Sequence, residues 1–208
     1  MSSLRQLLAA HAPLLVIDAC SARVQAAWLN SLEDSGWAES TEESTVGIFK
    51  CVEELRVVPS NVGAFIFCDG PGSLLGIRTA AMAIRTWCVL SPRPIFSYHS
   101  LELVAHFVGR PELSVIADAR RDMWHCISMS TALRRIQTDQ LAGRLATPQG
   151  FRNWTKLPTD VETVSYNLAE LLPRTIDVDL YHAKSEPEAF LHEEPSYVTW
   201  TPHIHRAP

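Results

Sequence analysis

The sequence predicts an α/β fold whose strands gather into central sheets, and its 208 residues suffice for one large domain or two small, closely packed lobes. Two observations carry this. Short, continuously apolar runs at residues 14–18 and 62–68 each lead directly into an acid, as buried strands do. Between and after them, apolar residues recur at helical spacing, so strand and helix alternate along most of the chain.

Taken in order, residues 1–13 form an N-terminal extension with Leu4, Leu7 and Leu8 in helical spacing, and residues 14–18 make the first buried strand. Residues 24–30 and 36–40 return as a meander. Val46, Ile48, Phe49, Val52 and Leu55 place a helix over 41–56, with Ser, Thr and Glu at its start. The second buried strand runs straight into Asp69-Gly-Pro-Gly-Ser73, and the helix that follows, 73–90, stops at Ser91-Pro92. Then come a strand at 94–97, a helix at 100–108 and a strand at 113–117. Beyond Asp118 the pattern thins to strands at 123–129 and 161–165, loops around Pro148, a helix at 168–172 and an irregular tail from Glu186. The expected division is an extension (1–13), an N-terminal lobe (14–109) and a smaller C-terminal lobe with the tail (110–208).

Composition removes several function classes. Apolar residues make up 47% and charged ones 20%, ordinary for a protein with a buried core, and the net charge of -5 argues against general electrostatic binding to nucleic acid. A local basic run that includes Arg120, Arg121, Arg134, Arg135, Arg144 and Arg152 reads either as a hydrated positive face or as a contact with RNA. The five cysteines are scattered, which fits reduced thiols in the cytoplasm rather than a disulfide framework or a zinc knuckle. No apolar run approaches the roughly 18 residues of a membrane span. The eight histidines show no His-x-x-x-His or His-Glu-x-x-His spacing, so no metal site is expected, and no Gly-x-Ser-x-Gly elbow marks a hydrolase.

Two features can carry chemistry. Gly70, Gly72, Ser73, Gly76 and Arg78 lie in a glycine-rich strand-to-helix turn, where Ser73 can cap the helix and exposed N–H groups can receive an anion. A tight, well-capped turn explains the same residues, and the Lys-Ser/Thr pair of a phosphate-binding P-loop is missing. Asp18, Asp69 and Asp118 end predicted strands, where open α/β sheets bind ligands and phosphotransferases hold Mg²⁺, although acids there also cap turns. On the helix 73–90, Arg78, Thr79, Arg85 and Thr86 form a polar stripe about 120° wide. The rest, including Leu74, Ile77, Ala80, Ala81, Ala83, Ile84 and Trp87, is apolar over roughly 240°, more than the ~100° one sheet needs. Either neighbouring segments of the same chain cover the excess or a subunit partner does.

Asp18, the turn Gly70-Pro-Gly-Ser-Leu-Leu-Gly-Ile-Arg78, Ser100-Leu-Glu102, Asp118-Ala-Arg-Arg121 and Pro195-Ser-Tyr-Val198, in that order, resemble the TsaB/YeaZ family. The chain departs from that pattern in Ala19-Cys20 for Thr-Ser, Leu75 for Thr, Glu43-Ser44-Thr45 for His-Ser-Glu and Thr199 for Arg. The resemblance implies an actin/hexokinase-like fold and a non-catalytic subunit for making threonylcarbamoyladenosine in tRNA. Its partner would be a TsaD-like catalytic subunit carrying the metal and nucleotide chemistry, with a TsaE-like ATPase as a further partner and a homodimer in isolation. Contact with tRNA would be indirect. No cofactor would be held tightly, and ATP or ADP would enter only at the interface with a partner. The competing expectation is an actin-fold small-molecule kinase or ATPase using Asp18 and Asp118.

Overall fold

The computed structural model describes residues 1–31 and 33–190. Pro195-Ser-Tyr-Val198, Thr199, His203 and His205 lie outside the described residues. A seven-stranded sheet is ordered β1-β12-β6-β5-β2-β3-β4, where β1 is Ser2–Ser3, β2 Leu14–Asp18, β3 Val24–Leu29, β4 Ser35–Ser40, β5 Ala64–Gly70, β6 Ile95–His99 and β12 Asp179–Lys184. Its three central strands, β2, β5 and β6, are parallel, and the flanking ones antiparallel. The second sheet is ordered β11-β10-β7-β8-β9, with β7 Leu113–Asp118, β8 Met123–Ser128, β9 Thr131–Gln137, β10 Arg144–Pro148 and β11 Val161–Val164.

Strand pleating divides the core in two. Leu14 and Val16 of β2 and Ala64 and Ile66 of β5 face the cluster shared with the second sheet and with the helices α1 (Leu4–His11), α4 (Ser100–Val108) and α5 (Leu168–Arg174). Their neighbours Leu15, Ile17, Phe65 and Phe67 face the helices α2 (Ser44–Glu54) and α3 (Leu74–Leu90). Both faces are covered, which is why these strands read as unbroken apolar runs. The helices carry local stop and start signals: Ser3 and Gln6 close a capping box on α1, Ser73 caps α3, Asn167 caps α5 and Gly109 ends α4 with φ of 65°.

Several expectations change. The segment around Pro148 is not loop but β10, a parallel strand between β7 and β11. Proline stands at its last position, where a missing N–H ends the ladder rather than breaking it. Residues 131–137 and 179–184 also form strands, β9 and β12. Residues 1–13 contribute β1 and α1 to the main sheet and core, with β1 pairing to β12, so that sheet draws on both sides of position 109. Helix α2 begins at Ser44, three residues after the expected start. No helix among the described residues is long and apolar enough to cross a membrane.

Candidate functional site

The parallel strands β2, β5 and β6 end together, and the turn Gly70 to Ser73 lies across that edge. Its glycines serve close packing. A Cβ at Gly76 would overlap the carbonyl oxygen of Ala19, and one at Gly72 would overlap that of Cys20. Gly72 also has φ of +156°, and the Ser73 N–H donates to the Cys20 carbonyl at 2.7 Å. The Ser73 hydroxyl accepts from the Gly76 N–H at 3.4 Å. The turn therefore seats α3 on the backbone of 19–20, and two of its N–H donors, those of Ser73 and Gly76, are committed inside the fold. Arg78 is exposed one turn along α3.

The three strand-end aspartates do not converge. Asp18 is fully buried on the face toward the second sheet. Its Oδ1 accepts from the Cys20 N–H at 3.0 Å, and its Oδ2 accepts from the hydroxyls of Tyr98 and Tyr166, each at 2.6 Å. Burial, and then the Asp18 charge, push both phenols well above their ordinary value, so they stay donors. Burial also raises the neighbouring Cys20 and Cys68 thiols, the latter to about 11. A carboxylate sealed in this way offers no oxygen to Mg²⁺.

Asp69 is buried on the opposite face, because its partners Ser97 and His99 alternate with Tyr98 along β6. The Ser97 hydroxyl donates to Oδ2 at 2.7 Å, His99 Nδ1 meets Oδ1 at 2.7 Å and Lys184 Nζ lies 3.2 Å from Oδ2. Burial would raise the Asp69 carboxyl, but the hydrogen bonds and charges of His99, Ser97 and Lys184 outweigh it and hold the group below its ordinary value. The same contact raises the His99 imidazole against its own burial.

Asp118 holds its own corner. It accepts N–H bonds from Arg120 at 2.6 Å, Trp154 at 2.7 Å and Thr155 at 2.5 Å. Arg120, Arg121 and Asp122 turn through positive φ, and the Arg120 guanidinium lies 4.3 Å from the Trp154 ring centre, so Arg120 packs on the protein itself. Arg121 is exposed beside it.

Along α3 the structure redraws the expected contact face. Ile77, Ala80, Ala81, Ala83 and Ile84 are buried in the chain's own core, and Trp87 is half-buried, stacked on Phe65 and edge-on to Phe49. Ala80 and Ala83 thus point inward. The outward stripe consists of Leu75, Met82 and Val89, 71%, 58% and 78% exposed, interleaved with Arg78 and Thr86. Leu74 and Leu90 flank it, and Val46 and Phe49 of α2 extend the apolar surface. On the other flank, Arg85 pairs with Glu186 at 2.8 Å and Glu188 at 3.6 Å, which lays the segment 186–189 beside the helix.

The sequence reading missed the groups that define the two acid sites: Tyr98 and Tyr166 around Asp18, and Ser97, His99 and Lys184 around Asp69. Hydroxyls and charges in β6 and β12 were the available signal for four of them, whereas Tyr166 lies in the connection after β11, and the fold had to be known to join them.

No protein-family model matches the chain, and no curated protein matches it significantly. Among solved structures it is similar to YeaZ from Pseudomonas aeruginosa, with 18% identity, a TM-score of 0.57 and coverage of 78% of this chain and 89% of that one. It is also similar to an uncharacterised protein described as resembling the peptidase YEAZ from Pseudomonas aeruginosa, with 17% identity, a TM-score of 0.57 and coverage of 84% and 90%. The two-sheet α/β architecture expected from the sequence is present, and the chain has the fold of YeaZ.

Proposed function

We propose that this chain is a divergent TsaB/YeaZ protein acting as a non-catalytic subunit, one that pairs with a TsaD-like catalytic subunit in tRNA threonylcarbamoyladenosine biosynthesis. The observation that carries the reading is the outward apolar stripe of α3, Leu75, Met82 and Val89, continued by Val46 and Phe49. On a chain with the YeaZ fold, exposed apolar surface of this extent is what a subunit interface requires. In this reading the protein works in the cytoplasm, forms a homodimer through the same surface when alone, and touches tRNA only through its partner. A TsaE-like ATPase joins the pair, and ATP or ADP binds only where two subunits meet.

The sealed state of Asp18 supports the non-catalytic assignment over the kinase or ATPase alternative. Both oxygens of Asp18 are taken by internal donors, and Asp118, which lies apart from it, is held by the N–H groups of Arg120, Trp154 and Thr155, so the two do not make a joint phosphoryl-transfer site. The test is affinity capture from native extract, followed by reconstitution with the captured subunit. Recovery of a TsaD-like protein, with tRNA modification dependent on both chains, is the expected result. ATP turnover by the isolated chain with Mg²⁺, lost in Asp18→Asn, would overturn it.

A further inference from the structure

Three potential metal ligands from three elements meet beside Asp69. His99 is the last residue of β6, Glu102 lies in the first turn of α4 three residues on, and His182 sits in β12. His99 and Glu102 share one side of the chain through their i, i+3 spacing at the helix start. His182 pairs with Ser97 across the antiparallel ladder, so it shares a face with Ser97 and lies diagonal to His99, their ring centres 5.6 Å apart. One ligand atom from each residue lies within 4.8 Å of the others, and all three residues are half-buried.

A second observation points to a cation. The His99 ring is fixed by the contact of its Nδ1 with Asp69 Oδ1 at 2.7 Å, which leaves Nε2 for another partner. A carboxylate behind a histidine in this manner is the usual second layer of a metal site, since it sets the tautomer and ring orientation and makes the far nitrogen a better donor. Asp69 and Glu102 supply two negative charges against the single ammonium of Lys184.

We propose that His99 Nε2, a ring nitrogen of His182 and the Glu102 carboxylate bind Zn²⁺, with Asp69 as the positioning residue and water completing the coordination. Two imidazoles and one carboxylate are a zinc donor set, with bonds of about 2.0–2.2 Å. At that bond length, ligand atoms around a tetrahedral ion are roughly 3.3 Å apart, so closure needs side-chain rotations of an ångström or so rather than movement of β6, α4 or β12. The other group of clustered ligands, Asp18, Cys20 and Cys68, is fully buried and does not compete, because its carboxylate is already saturated by Tyr98, Tyr166 and the Cys20 N–H. The spacing rules of the sequence could not show the site, since His182 is distant from His99 and Glu102 in the chain.

The full chain, stripped of metal, is titrated with Zn²⁺ by calorimetry and with Co²⁺ as a spectroscopic probe. One equivalent is expected to bind, with visible Co²⁺ bands of low coordination number. His182→Ala and Glu102→Gln should each weaken binding at least 10-fold with an unchanged circular dichroism spectrum. Asp69→Asn should weaken it about 10–100-fold and shift the Co²⁺ bands, an effect that a purely structural role would not produce. The His203→Ala/His205→Ala variant, which removes two of the three tail histidines, should retain the site. No saturable binding, or binding that survives His182→Ala and Glu102→Gln but is lost in the tail variant, would overturn the proposal.

Discussion

Asp18 is held in the core out of contact with solvent, and its stability depends on who donates to it. The hydroxyls of Tyr98 and Tyr166 and the Cys20 N–H are those donors. Removing one hydroxyl leaves the carboxylate under-solvated, so Tyr166→Phe should cost about 1.5–3 kcal/mol, the range for hydrogen bonds to charged groups, read by urea unfolding. An unchanged midpoint would mean that the Tyr166 hydroxyl does not stabilise the buried carboxylate. Asp118 behaves differently because it is partly open. Burial alone would raise its carboxyl, but the N–H groups of Thr155, Arg120 and Trp154 together lower it. A carboxyl depressed in the folded state contributes stability above its unfolded value of about 4 and loses it as pH falls through the folded one. The wild-type advantage over Asp118→Asn should therefore be present at pH 7 and shrink below about pH 4. An advantage that grew on acidification would refute the assignment.

Helix α3 shows how much a single element can conceal. Its apolar breadth was legible in the sequence, and so were its cap at Ser73 and its end before Pro92. Which apolar residues point outward was not, because α2 and β5 cover one side and only packing decides the rotation. The small residues Ala80, Ala81 and Ala83 turn out to let the helix approach the sheet. This separates two substitutions that otherwise look alike. Met82→Glu places a charge in solvent and should leave the monomer folded while abolishing self-association or capture of a partner, since a charge buried unpaired at an interface costs several kcal/mol. Ala80→Glu places the same charge in the core and should unfold the chain. Size-exclusion and thermal melts on both variants check this, and an associating Met82→Glu protein would remove α3 from the interface. Elements with weaker signals escaped the sequence for physical reasons. β9 reads Thr-Ala-Leu-Arg-Arg-Ile-Gln on a largely exposed edge, where only Leu133 and Ile136 pack against the core. β12 carries His182 and Lys184 because it flanks the Asp69 cluster.

The fold brings residues 179–184 back to the N-terminal segment. β12, from near the end of the described residues, pairs with β6 at the centre and with β1 at the N-terminus, and α1 follows directly from β1. Short sequence runs could not reveal this, since the two-residue strand β1 has no pattern and its partner lies far along the chain. Two outcomes distinguish an integral first segment from an appended one. An extension held only by the exposed Arg5 to Asp177 ion pair would contribute little, because water and salt screen such a pair. An integral one is held by Leu4 and Leu7, 1% and 3% exposed, which pack in the same cluster as Leu180 and Tyr181 of β12 and Leu172 of α5. Leu7→Ala should then cost about 2–5 kcal/mol, as other buried leucines do, through lost transfer energy and the cavity left behind. Arg5→Ala provides the contrast and should leave the urea midpoint nearly unchanged. Hydrogen exchange adds a spatial reading: in Leu7→Ala, amides of β12 should lose protection before those of β2 and β5, because α1 and β1 cover that edge of the sheet. Equal protection across all three strands, with no loss of stability, would show that residues 1–13 are dispensable to the fold.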